Sequence, residues 1–147
     1  MPLIVITIGT FDLLHTGHLR LFKKCRKIAG DSGVVVVGLN TDEFVAKFKG
    51  KRPILSYKER EDLIMETGLV DKIYPNSQPD GTIKDVIKKS KPDIIVVGSD
   101  WARKDYLAQI GLDWDYLDKN KIWLCYVNYE WSISTTELKR RLNENSF

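Results

Sequence analysis

Leu3-Ile4-Val5-Ile6-Thr7-Ile8-Gly9-Thr10-Phe11-Asp12-Leu13-Leu14-His15-Thr16-Gly17-His18 is the stretch on which the fold turns. Its first six residues are apolar or β-branched without polar alternation, as in a parallel strand covered on both faces. Gly9 ends the strand and permits close backbone approach or positive φ. From Gly17 to Ala29 apolar residues recur at Leu19, Leu21, Phe22, Cys25 and Ile28, a helical spacing stopped by Gly30-Asp31. The stretch is therefore a strand, a tight turn and a helix start. His15 and His18 are three apart and can project from one side of the first helical turn. Exposed amides and a partial positive charge at that terminus make the pair a donor array suited to a polyphosphate. The same spacing also fits a metal pair with Asp12, or helix-start histidines with only structural bonds.

Outward from this point the pattern repeats. Val34-Val35-Val36-Val37-Gly38-Leu39 reads as a second buried strand. Ser56-Tyr57-Lys58-Glu59 is a capping box that opens a helix running to Gly68. A short third strand is expected at Lys72-Ile73-Tyr74, ended by Pro75, and a helix from Asp80 to Ser90. Asp93-Ile94-Ile95-Val96-Val97-Gly98 is a fourth strand. Trp101 to Lys121 reads as short polar and aromatic helices, and Ile122 to Val127 as a last strand. Ser134-Thr135-Thr136-Glu137 forms a second capping box. Strand and helix in alternation predict an α/β fold, a doubly wound parallel sheet with helices on both faces. Such sheets bind ligands at the carboxyl ends of their strands, where strand order reverses. The polar motifs here all fall at strand ends.

Composition narrows the function. The chain has 147 residues, enough for one core, and a single domain over 1–147 is expected. Hydrophobic residues at 43% and charged residues at 29% are globular values. A net charge of +3, with its cations spread along the chain, favours an anionic small molecule over nucleic acid. No run reaches the roughly 18 apolar residues of a membrane span, and no signal peptide precedes the first strand. Cys25 and Cys125 form no framework or metal cluster and read as reduced thiols. A cytoplasmic setting follows as the expectation. Trp114, Tyr116, Trp123 and Trp131 are assigned to core or interface.

Gly9 to His18 resembles the HxGH signature of the cytidylyltransferase-like nucleotidyltransferases. Thr41 to Phe44, Lys49 to Pro53, Ser56 to Arg60, Gly98 to Trp101 and Ile133 to Thr136 resemble further landmarks of that family, in its order. The likeness spans nearly the whole chain and is greatest to glycerol-3-phosphate cytidylyltransferases, with heptose-phosphate and flavin adenylyltransferases as relatives. It implies a Rossmann-like fold of the HUP type and transfer of a nucleoside monophosphate from a triphosphate, CTP preferred over ATP, to a small phosphate-bearing acceptor. His15, His18 and Lys49 would be catalytic, with Lys47 and Lys51 competing for the last role. Gly9, Thr10, Phe11, Asp12, Gly17, Arg60, Asp100, Trp101, Ser134 and Thr135 would bind the nucleotide. Mg²⁺ would be bound mainly through the triphosphate, with no protein metal ligands, and a homodimer is usual. The chain departs from the pattern at three residues and in one extra piece. Tyr129 and Gly68 stand where the family places arginines, and Ser132 where it places a glycine. Gln109 to Tyr116 is an extra piece whose aromatic residues could cover the acceptor or build a dimer contact.

Overall fold

A computed structural model describes residues 2–98, 104–128 and 134–145. The strands are β1 (Ile4–Gly9), β2 (Val34–Asn40), β3 (Lys72–Asn76), β4 (Ile94–Gly98) and β5 (Trp123–Val127). They form one sheet in the order β3-β2-β1-β4-β5, with all pairs parallel. Strand order reverses between β1 and β4, as a doubly wound sheet requires. There β1 pairs with β4 only at Val5–Ile94 and Ile6–Ile95, while its pairing with β2 continues to Gly9–Leu39. The sheet therefore opens a crevice at the carboxyl end of β1.

Unbroken apolar strands are explained by two cores. Ile6, Val36, Ile95 and Val97 face α4 (Lys84–Ser90), α5 (Tyr106–Ile110) and α6 (Trp114–Asn120). The intervening Val5, Val35, Val37, Leu39 and Val96 face α1 (Thr16–Ala29) and α3 (Tyr57–Glu66). Period-two alternation thus serves both faces with apolar side chains. Cys25 and Cys125 join the second core. Cys25 is buried, and burial pushes its thiol up to about 12.

Three local expectations are corrected. Pro75 does not end β3 but lies inside it, opposite Leu39. That is tolerated because β3 is an edge strand and pairs on one side only. The helix expected from Asp80 begins at Lys84. Asp80 Oδ1 instead accepts from Thr82 N at 2.9 Å, and Gly81 has φ +79°, so an Asx-type turn fills the start. Ser134 caps α7 (Thr135–Glu144), but Glu137 does not reach back; its carboxylate bonds Arg140 and Arg141, leaving half a capping box.

The extra piece completes the first core. Ile110 and Leu112 are buried, and Ile83 N donates to Ile110 O at 3.1 Å. Gly111 has φ +71°, and a Cβ there would lie 2.5 Å from Thr82 Cγ2. Trp114 and Trp123 are not core residues, since they are 62% and 76% exposed. Trp131 lies outside the described residues. No helix among the described residues is long and apolar enough to cross a membrane.

Candidate active site

The turn after β1 is shaped by two non-glycine residues in the left-handed region, Phe11 at φ 49° and Leu13 at φ 47°. Such conformations cost energy and persist where their surroundings hold them. Phe11 folds its ring back under Gly9, whose added Cβ would sit 3.1 Å from that ring. Of the two roles open to Gly9, close approach is the one used. Phe11 also packs edge-on against His18, with ring centroids 5.3 Å apart, and against Phe22 at 5.1 Å. It forms the floor beneath the imidazole.

Asp12 fixes the other side. Its Oδ1 accepts from Leu13 N and Leu55 N at 3.1 and 2.9 Å, and its Oδ2 from Ile54 N at 2.7 Å. Its backbone oxygen accepts from Thr135 Oγ1 at 2.8 Å, which brings the start of α7 to the turn. Asp12 thus joins three separate segments.

His15 is the N-cap of α1 and His18 lies in its first turn. Gly17, buried at the helix start, donates its N–H to His15 Nδ1 at 3.0 Å. His15 N donates to His18 Nδ1 at 3.3 Å. The rings stack with centroids 3.8 Å apart. Because each Nδ1 accepts, each neutral ring carries its proton on Nε2. Burial lowers the pKa of both rings; His18 falls to about 3 through burial first and the neighbouring His15 second, against an opposing pull from Asp12. The result is two neutral, backbone-anchored Nε2–H donors. Neither ring retains a free Nδ1 lone pair for a metal, and the Asp12 oxygens are occupied by amides.

Arg60 does not serve phosphate. It is fully buried, and its guanidinium donates to Leu55 O, Thr10 O, Asn40 O and Asp42 Oδ1 at 3.1, 2.7, 2.9 and 2.7 Å. A buried cation must be matched on every side, and this one is matched by the ends of β1 and β2 and by α2 (Asp42–Lys49). Its role is to staple the turn from below.

A cavity of about 380 Å³ opens at the carboxyl ends of β1, β2 and β4, beside the histidine turn, with Gly9 and Thr10 in its wall. Lys49 lines it. Lys47 is committed elsewhere, donating to Pro79 O at 2.6 Å, and Arg52 pairs with Glu43 at 3.7 Å. Lys51 is exposed and does not line the cavity. The histidines are outside the lining and share only the Gly9–Thr10 turn with it. Ser134 caps α7 by accepting from Glu137 N at 3.0 Å, and the Thr135 hydroxyl is taken by Asp12. Asp100, Trp101, Tyr129 and Ser132 lie outside the described residues. Gly68, where the family places an arginine, has φ +71° in the turn after α3. A cationic side chain there would be strained.

Sequence reading alone did not single out Asn40 and Asn76. Both line the cavity at the carboxyl ends of β2 and β3. The available signal was an asparagine after each apolar run, where parallel sheets hold their ligands.

An α/β sheet of Rossmann-like topology, with paired imidazole donors and a cavity at its reversal point, defines a nucleotide-handling protein. The chain belongs to the cytidylyltransferase-like family, whose model matches residues 6–141, and this places it among the nucleotidyltransferases. It is 34% identical over 138 residues to the glycerol-3-phosphate cytidylyltransferase of Staphylococcus aureus, covering 94% of this chain and 93% of that one. It is 42% identical over 106 residues to the bifunctional protein HldE of Helicobacter pylori, covering 71% of this chain. That match spans only 22% of HldE, about a fifth of its length. Among solved structures it is similar to the lipopolysaccharide core biosynthesis protein of Thermoplasma volcanium, with a TM-score of 0.66 and 30% identity over 88% of this chain and 98% of the other.

Proposed function

We propose that this chain transfers CMP from CTP to a small phosphate ester such as glycerol 3-phosphate. A phosphate oxygen of the acceptor attacks the α-phosphorus of CTP in line. The bond from that phosphorus to the α–β bridging oxygen breaks, and pyrophosphate leaves with the electron pair. A phosphate oxygen is already nucleophilic at neutral pH, so the protein need only align the groups and stabilise developing charge.

The carrying observation is the pair of neutral imidazoles, each fixed through Nδ1 and offering Nε2–H. Anchored donors lose little freedom on meeting the triphosphate and need no reorganisation as charge shifts. Lys49 reaches the same phosphates from the cavity side. Asp12 and Arg60 hold the turn without touching the ligand, and Ser134 presents the start of α7. The donor set also fits a magnesium ion held by the nucleotide. The Nδ1 atoms and the carboxylate of the turn are used as hydrogen-bond acceptors. When bound, the ion would supply positive charge to the phosphates.

The likeness to HldE supports a second reading, ATP-dependent adenylyl transfer to a sugar phosphate. Pyrophosphate release measured with CTP and with ATP, each against a panel of phosphate esters, separates the two. Release with CTP and glycerol 3-phosphate is expected. Release with ATP alone would reject the cytidylyl reading, and none with either triphosphate would reject both.

A further inference from the structure

Three polar side chains at the carboxyl ends of three neighbouring strands form a single file across the cavity wall. Asn76 Nδ2, on β3, donates to Asn40 Oδ1, on β2, at 2.8 Å. Asn40 Nδ2 donates in turn to Thr10 Oγ1, just past β1, at 3.1 Å. The strand register sets Asn40 directly opposite Asn76. Backbone bonds hold the row in place: Thr41 N donates to Asn76 O at 3.1 Å, and Arg60 donates to the carbonyls of Asn40 and Thr10. All three residues line the cavity together with Lys49.

The file has a direction and two unused ends. Every amide donates toward β1, so Thr10 accepts and keeps its own O–H to give. At the far end Asn76 is 2% exposed, yet its Oδ1 has no hydrogen-bond partner among the described residues. Buried acceptors are nearly always paired, so an orphan in a cavity wall is a place where a donor belongs. Asn76 lines the cavity, and a turn about its soft last torsion, at some cost to the bond with Asn40, would bring the oxygen to an occupant.

We propose that Asn76 accepts a hydrogen bond from a hydroxyl on the carbon skeleton of the acceptor, while Thr10 and Lys49 meet its phosphate. The row is then a gauge that selects phosphate esters of polyols over esters without a hydroxyl. It spans two strand spacings, about 10 Å, so the hydroxyl it reads lies several bonds from the phosphate. This inference rests on the nucleotidyl-transfer reading for its reaction, although the contact itself is one of binding.

The test compares glycerol 3-phosphate, a hexose 1-phosphate and propyl phosphate as acceptors for the wild type and for Asn76→Leu and Asn76→Asp, with thermal melts as a folding check. A site built around a substrate hydroxyl discriminates strongly against analogues without it. The wild type is expected to prefer at least one hydroxylated ester to propyl phosphate by about 10- to 100-fold in kcat/KM. Asn76→Leu should lose most of that preference, and Asn76→Asp, which keeps an acceptor oxygen, should retain part of it. An equal loss on all esters, or an unchanged preference in Asn76→Leu, overturns the proposal. If the wild type turns over no ester with CTP or ATP, the transfer reading fails and saturation-transfer NMR decides the contact. Glycerol 3-phosphate or hexose 1-phosphate binding that is lost in Asn76→Leu supports it; no binding, or equal binding, overturns it.

Discussion

Two helices meet at Asp12, and they are held there by opposite means. α1 buries Gly17, His18, Leu21, Phe22, Cys25 and Ala29, and its first turn is closed by two imidazoles bonded to its own backbone. α7 buries no residue, and the hydrogen bond from Thr135 Oγ1 to Asp12 O ties its first turn to the site. A helix embedded in the core is positioned by close packing along its length. One that rests on the surface depends on the few bonds that tie it. α1 is thus held to the site by burial, and α7 by the hydrogen bond at its first turn.

The comparison breaks first if the foundation under α1 is removed. Arg60→Ala leaves three carbonyls and the Asp42 carboxylate without their cation, and losing one member of such a buried set costs about 3–5 kcal/mol. Urea unfolding should show that loss. Chemistry and capping are separated by His15→Asn, because asparagine is a good N-cap but lacks the ring Nε2–H. Transfer should fall about 10²–10³-fold while the melting temperature stays close to that of the wild type. Unchanged turnover would remove His15 from the mechanism. On the other helix, Thr135→Val unhooks α7 at a cost of about 1 kcal/mol. Limited trypsin digestion should then cut faster at Arg140 and Arg141 while β1 to β4 stay intact.

Acid gives a gentler probe of the same asymmetry. The unfolded chain takes up a proton on His18 near its ordinary value of 6.5, but the folded ring resists protonation down to about 3. Above pH 6.5 both states are neutral at this position and the residue contributes no pH dependence. As pH falls through that window the unfolded state binds more protons, so stability declines. Melts from pH 7 to pH 4 should show a slope that is reduced in His18→Gln.

Most of the fold could be read in advance because a doubly covered parallel strand has an unmistakable composition. Val34 to Leu39 and Asp93 to Gly98 could belong to little else. The errors arose where a short-range signal met a tertiary one. Pro75 reads as a stop until β3 is known to be an edge, and Asp80 reads as a helix start until Gly81 turns the chain away. The turn, the cap and the helix start that carry the histidines were legible because they lie within one continuous stretch. The role of Arg60 was not, since an arginine in a run that resembles a family landmark suits a phosphate and a buried staple equally, and only its surroundings decide. That Lys49 lines the cavity while Lys47 bonds Pro79 shows only once Pro79 lies beside α2. Asn40 and Asn76 acquire a joint meaning through strand register, which no local pattern carries.

The amides that Asp12 grips belong to Ile54 and Leu55, and Gly50 closes α2 in the left-handed conformation. Between these two anchors runs a short bridge, residues 51–53, close to Lys49 at the cavity wall. Its ends are nailed down independently of its contents, so its length and chemistry can drift without disturbing the imidazoles. Exchanging Lys51 to Pro53 as a cassette should therefore leave the hold of Asp12 on the histidine turn in place.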